Sequence, residues 1–123
     1  VLYWGDPHTA GAGTAIGSLL EAAGASNVGR ELGLRGIVPI AGERAFAAEP
    51  DAFLVTEGSG ASVALRRHPL LSRTRAVREG RVVEMPNHLL VALSDRAADA
   101  ARWLASRLHP ARIPEAAPPP QLR

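Results

Sequence analysis

The chain has 123 residues, 46% hydrophobic and 21% charged, which fits one compact domain and excludes a disordered polymer. Its formal charge is +2, every strong base is an arginine, and only Arg66-Arg67 and the Arg73, Arg75, Arg78, Arg81 group cluster. No aromatic-laced basic stripe or nucleic-acid motif accompanies them, so no nucleic-acid partner is expected. There is no cysteine for a disulfide or thiolate site, and no apolar run reaches the roughly 18 residues of a membrane span.

Val1-Leu2-Tyr3-Trp4 is an apolar and aromatic run with the composition of a buried strand, stopped by Gly5-Asp6-Pro7. The strand pattern starts at once, without an initiator methionine or basic leader, so a fragment is expected whose targeting sequence lies upstream. An irregular polar loop carrying His8 and Thr9 follows. Gly11-Ala12-Gly13-Thr14 then opens a helix with Ile16, Leu19, Leu20 and Ala23 at helical spacing, closed by Gly24. Ala25–Val28 reads as a short strand or extended link, and Gly29–Gly36 as a half-formed helix or loop.

Ile37–Ile40 is extended, with Pro39 barred from the middle of a ladder. Ala41–Glu49 is a short helix burying Ala45, Phe46 and Ala48; Pro50-Asp51 is a turn. Ala52–Val55 is apolar without alternation, which predicts a parallel sheet covered on both faces. Glu57–Gly60 is a loop at the carboxyl end of that strand, Ala61–Arg67 a helix broken by His68-Pro69. Thr74–Val77 and Arg81–Met85 read as strand pieces flanking the Glu79-Gly80 turn. Pro86-Asn87-His88 opens an irregular connection. Ser94 is the expected N-cap of a last helix, Asp95–Leu108. That helix carries Ala98, Ala101, Trp103, Leu104 and Leu108 inward, with Arg96, Asp99, Arg102 and Arg107 outward. Alternating strands and helices give an α/β fold, a Rossmann-like αβα sandwich with a mainly parallel central sheet.

In such sheets ligands bind at loops beyond the carboxyl ends of strands, which draws attention to His8, Thr9 and His88. Imidazoles there suit a metal or haem iron, but no H-x-x-x-H, carboxylate cluster or cysteine marks a dedicated metal site. His68 and His109 precede prolines at helix ends and read as structural stops. The glycines of Gly11–Gly17 miss the dinucleotide fingerprint, since Ile16 holds the third glycine position and the loop before them is long. A phosphate loop is excluded by the lack of lysine. No G-x-S-x-G elbow appears, and Ser59 has no evident base, so no enzyme is expected. Glu43 begins a helix, where a carboxylate complements the dipole. A nucleotide-binding Rossmann-like enzyme domain and an α/β response or interaction domain are the alternatives.

Taken in order, the segments resemble the C-terminal lobe of the periplasmic substrate-binding proteins of ABC importers for cobalamin, haem and ferric siderophores. The resemblance spans about residues 1–110. It rests on VLYW…DPHTAGAGT, the L-x-x-A-G-A-x-N of Leu20–Asn27 and the P-x-x-x-E-x-x-x-x-x-x-P-D of Pro39–Asp51. It continues through the strand ending at Val55, H-P-L-L…A-V-R-E-G-R-V and the closing L-A-x-x-L-H-P. Residues 111–123 are then a proline-rich tail, expected to be disordered.

The resemblance implies two Rossmann-like lobes joined by a long helix, with the N-terminal lobe of the same protein as a partner. It implies a transported metal chelate rather than an intrinsic cofactor, and a periplasmic or extracellular membrane-anchored location. The ligand-lining positions carried over are His8, Thr9, Ile37, Asn87 and His88. Cobalamin binders tend to place an aromatic, and many haem binders a ligating tyrosine, where Ile37 stands. Glu43 matches the glutamate that engages arginines of the ABC transporter permease.

Overall fold

The computed structural model describes residues 1–5, 7–86 and 97–108. In chain order the first elements are β1 (Leu2–Tyr3), β2 (His8–Ala10), α1 (Ala15–Ala22), α2 (Val28–Glu31), β3 (Ile37–Pro39) and α3 (Gly42–Ala47). There follow β4 (Phe53–Thr56), α4 (Ala61–Arg67), a 3₁₀ turn (Leu71–Arg73), α5 (Arg75–Arg78), β5 (Val82–Met85) and α6 (Ala97–Leu108).

Strand β4 lies between β1 and β5, and both pairings are parallel, Leu2 standing beside Phe53 and Phe53 beside Val82. Side chains alternate across a strand, so the sheet feeds two cores. Val1, Ala52, Leu54 and Met85 enter the core under α1 and α6; Leu2, Trp4, Phe53 and Val55 enter the core under α2 to α5. Both faces are therefore covered, as the unbroken apolar run of β4 requires. The fold is α/β, an αβα sandwich with a parallel sheet. Fully buried Leu20, Phe53, Leu54 and Leu65 each contribute roughly 1.5–3 kcal/mol of burial free energy. In α6 the guanidinium of exposed Arg107 lies 5.5 Å from the ring centroid of buried Trp103.

Helix α1 starts where Thr14 accepts a hydrogen bond from the Gly17 amide at 2.9 Å. The Thr14 hydroxyl donates in turn to the Gly11 carbonyl at 2.9 Å. The same carbonyl receives the buried Asn27 Nδ2 at 3.4 Å, while Asn27 Oδ1 caps α2 at the Gly29 amide, 3.1 Å away. A Cβ on Gly11 would lie 2.3 Å from the Leu34 carbonyl oxygen, and one on Gly17 2.8 Å from Asn27 Nδ2 and the Gly11 oxygen. These glycines are required by close packing.

Several local expectations are refined. His8–Ala10 is a strand, because it pairs antiparallel with Ile37–Pro39, far away in sequence. Of the two readings of Ala25–Val28 the extended link holds as far as Asn27, which caps α2, so that Val28 is already helical. Thr74–Val77 is helical too, because the Thr74 hydroxyl accepts from the Val77 amide instead of leaving the backbone to a ladder. In α6, Ala98 is exposed on the same side as Arg102, and the buried stripe runs through Ala100, Ala101, Leu104 and Leu108. In α3 only Ala45 is fully buried, Phe46 and Ala48 being half-buried. The assignments to Ser94, Asp95, Arg96, His109 and the 111–123 tail lie outside the described residues.

The Gly11 junction makes a direct prediction. Gly11→Ala forces a methyl into the backbone of Leu34, and should cost about 2 kcal/mol or more. Asn27→Ala, which removes one cap and one buried donor, should cost about 1–2 kcal/mol. Urea denaturation monitored by circular dichroism measures both; an unchanged midpoint for Gly11→Ala would mean that the junction yields.

Candidate functional site

The chain leaves the carboxyl end of β1 through a tight turn in which the Gly5 amide donates to the His8 carbonyl at 2.7 Å. It then runs directly into a two-stranded ribbon of β2 and β3. Pro39 is accommodated because β3 pairs only with β2 and needs no second ladder. At the same His8 end, the Ile40 amide extends the pairing to the Pro7 carbonyl at 2.8 Å.

Register decides which predicted site residues meet. His8 stands opposite Pro39 and Ala10 opposite Ile37, so His8 and Ile37 are diagonal neighbours on one side of the ribbon. Both are exposed, and Ile37 keeps 55% of its surface open, unusual for a large aliphatic side chain in a strand. Thr9 faces the other way, opposite Val38, and is fully buried with its hydroxyl unpartnered among the described residues. It does not take the cleft-facing position expected of it, because pairing with β3 turns its side chain inward. Asn87 and His88, expected to complete the site, lie outside the described residues; β5 ends at Met85 on the same carboxyl edge of the sheet.

The Glu57–Gly60 loop follows β4 at that edge too, and sequence reasoning assigned it no ligand role. Its Glu57 and Ser59 are exposed, and the Glu57 amide ties the loop to the Met85 carbonyl at 2.9 Å. The available signal was its place directly after the most apolar strand. Tyr3 in β1 and Thr56 in β4 lock neighbouring strand ends through their hydroxyls at 3.3 Å. The edge is thus rigid beneath a polar and aliphatic surface. Among the described residues, no three His, Cys, Asp or Glu side chains gather to hold a metal ion.

The glycine-rich segment before α1 is occupied by the fold itself. The Gly11 amide donates to the Gly36 carbonyl and the Ala12 amide to the Leu34 carbonyl, both at 2.9 Å, while Thr14 takes the Gly17 amide. A nucleotide loop needs such amides turned toward a phosphate. Here they are spent on the β3 approach.

His68 is structural. Its Nδ1 accepts the amides of Leu70 and Leu71 at 3.1 and 3.0 Å, and its ring meets Trp4 edge-on at 6.2 Å. It therefore starts the following 3₁₀ turn rather than only ending α4. Glu43 is exposed in the first turn of α3, where no side chain caps the helix and a carboxylate is favoured by the dipole. It is available to a partner. A separate cavity of about 520 Å³ lies beside the starts of β4 and β5, lined by Phe46, Glu49, Pro50, Asp51, Arg73, Thr74, Arg75 and Arg78.

Comparison with known proteins bears on this arrangement. The family model described as periplasmic binding protein matches residues 1–89. No curated protein sequence matches the chain. Among solved structures, the chain is similar to the periplasmic heme-binding protein RhuT from Roseiflexus sp. RS-1, at 28% identity and a TM-score of 0.75. The match covers 85% of this chain and 41% of that one. It is also similar to the periplasmic heme-binding protein BhuT in complex with two hemes, at 29% identity and a TM-score of 0.75, covering 89% of this chain and 44% of that one. The molybdate binding protein MolA of Haemophilus influenzae shares the fold at 24% identity and a TM-score of 0.73, over 87% of this chain and 34% of its own. The chain spans less than half the length of each.

Burial separates Thr9 from its exposed neighbours in a measurable way. Thr9→Val keeps the shape and removes an unpaired buried hydroxyl, so stability should be unchanged or rise by about 1 kcal/mol. Thermal unfolding measures it. A clear loss of stability would show that the hydroxyl has a partner.

Proposed function

We propose a function from one premise: the chain belongs to the periplasmic binding protein family. It is the C-terminal lobe of a two-lobed solute-binding protein of an ABC importer, acting in the periplasm or on the outer face of the membrane. It captures a metal chelate, with haem, a ferric siderophore or cobalamin as the ligand class, and delivers it to the permease without chemistry of its own. The supporting observation is the ribbon, which sets an imidazole and an exposed aliphatic side chain together at the carboxyl edge of the sheet. Such a surface suits a large, flat or greasy chelate with a metal or acidic groups at its rim. The likeness to RhuT and BhuT, both named as heme-binding, makes haem the first ligand to test.

One lobe supplies one wall. Ligand sites bury roughly 70–90% of a small molecule, so this lobe alone should bind weakly and the two-lobed parent tightly. Glu43 then serves delivery. A carboxylate held out at the start of α3 pairs with permease arginine in a charge-assisted, bidentate contact. Such a contact sets orientation more than affinity. The nucleotide-binding alternative receives no support from the Gly11–Gly17 segment, whose Gly11, Ala12 and Gly17 amides are already hydrogen-bonded within the fold.

Two experiments on the full-length parent test this reading. Absorbance titration with haem, cobalamin and a ferric siderophore should give saturable binding of one of them, weakened roughly tenfold or more by His8→Ala if the imidazole touches the ligand. No response to any of the three would remove the metal-chelate class. Glu43→Ala should leave binding unchanged while uptake through the permease fails; normal uptake would remove the docking role.

A further inference from the structure

We propose that the cavity between α3 and α5 is a second docking point for the permease that Glu43 engages, and that it receives a carboxylate side chain of that partner between Arg73 and Arg78. The proposal rests on the docking role of Glu43 and extends it. The residues 61–80 carry Arg66, Arg67, Arg73, Arg75 and Arg78 against Glu79 alone, a local charge of +4 in a chain whose total is +2. All five arginines are exposed. Arg75 is committed to Glu79, its Nε donating to the carboxylate at 2.8 Å; that hydrogen bond, then the charge, raises the guanidinium pKa further. Arg73 and Arg78 have no ion-pair partner among the described residues.

The backbone that carries those two arginines is anchored beside the cavity. Thr74 between Arg73 and Arg75 is buried, and its hydroxyl donates to the Leu71 carbonyl at 2.6 Å and accepts from the Val77 amide. The backbone on which the arginines stand is thereby fixed. Half-buried Phe46 and buried Pro50 form an apolar floor, which lowers the local dielectric and strengthens a pair formed above it. Across the cavity, Glu49 and Asp51 make the far rim acidic, with Glu49 held at φ 47° as the chain turns out of α3.

That bipolar lining selects the occupant. A small free anion meets two carboxylates as it approaches, and an anionic lipid surface meets the same repulsion. A protein segment that presents an acid to Arg73 and Arg78 with a base beside Glu49 or Asp51 satisfies both walls. Placement on α3 points to the same partner: Phe46 of the cavity wall stands three residues from Glu43, a spacing that puts the two on one helix face. Reciprocal pairs, an acid given at Glu43 and an acid taken at the cavity, would fix the rotation of the lobe on the permease.

The test measures binding of the full-length parent to its permease in nanodiscs of neutral lipid. Arg73→Glu with Arg78→Glu should weaken docking roughly tenfold to hundredfold, leaving thermal unfolding and solute affinity unchanged. Arg66→Glu with Arg67→Glu changes the charge equally outside the cavity, and should alter docking by less than about threefold. Equal effects of the two pairs, or none from the first, would overturn the cavity as a docking point. If Glu43→Ala fails to dock while the Arg73 and Arg78 variant docks normally, only the cavity is overturned. Absence of any docking by the unaltered parent would overturn both. Preferential binding of the parent to phosphatidylglycerol vesicles, lost in the Arg73 and Arg78 variant, would assign the cavity to lipid instead.

Discussion

The carbonyl oxygen of Gly11 is the point on which the junction of β2, α1 and α2 depends. It accepts the Thr14 hydroxyl that starts α1 and the buried Asn27 amide whose other end starts α2. Three segments that leave the sheet in different directions are thus referred to a single atom. Gly17 must lack a side chain for the junction to close, and Gly11 must lack one for the β3 approach to pass. An unpaired carbonyl in that position would cost about 1–3 kcal/mol, and two donors remove the penalty while fixing three backbone directions. The ribbon carrying His8 and Ile37 inherits its orientation from this joint.

Where a single strand or helix decides its own burial, the sequence is legible. Ala52–Val55 reads as a doubly covered parallel strand, and the structure sends Phe53 and Val55 to one core and Leu54 to the other. Ala61–Arg67 is a helix to the residue, because His68-Pro69 ends it without help from elsewhere. The failures arise where a partner far along the chain, or one hydroxyl, decides. Thr9 reads as a polar loop residue until β3, 28 residues or so away, pairs with it and turns it inward. Thr74 reads as strand by its branched side chain, yet its hydroxyl caps a helix. His8 was singled out by its place in the loop after the first strand, and Ile37 only through the order of the segments, since neither carries a local motif. Their meeting across the ribbon needed the register.

Glycine shows the same division. The spacing of Gly11, Gly13 and Gly17 invites comparison with a cofactor fingerprint, because such loops and tight crossovers both need residues without side chains. Composition cannot separate the two uses. The destination of the amides can: in a phosphate loop they converge on empty space, and here they end on Leu34, Gly36 and Thr14. A loop that looks built for a ligand is a splice between strand and helix, and on the reading proposed above the ligand surface is displaced to the ribbon before it.

This displacement has a physical advantage for a binding lobe. A three-stranded parallel sheet covered on both faces resists deformation, and changing any of its core side chains costs stability. A short antiparallel ribbon beyond its edge leaves His8, Ile37 and Pro39 exposed, held at its His8 end by the Gly5 and Ile40 amides and beyond its Ala10 end by the Gly11 amide. The exposed His8 and Ile37 side chains can vary without disturbing Thr9 and Ala10, which are fully buried. Proteins sharing the fold are named for ligands as unlike as heme and molybdate. Fold similarity therefore fixes the scaffold and not the ligand. Discrimination has to reside in the few side chains the scaffold leaves free. On the reading proposed above, the exposed imidazole of His8 and the open aliphatic surface of Ile37 are two of them, and the β2–β3 register brings them to one side of the ribbon.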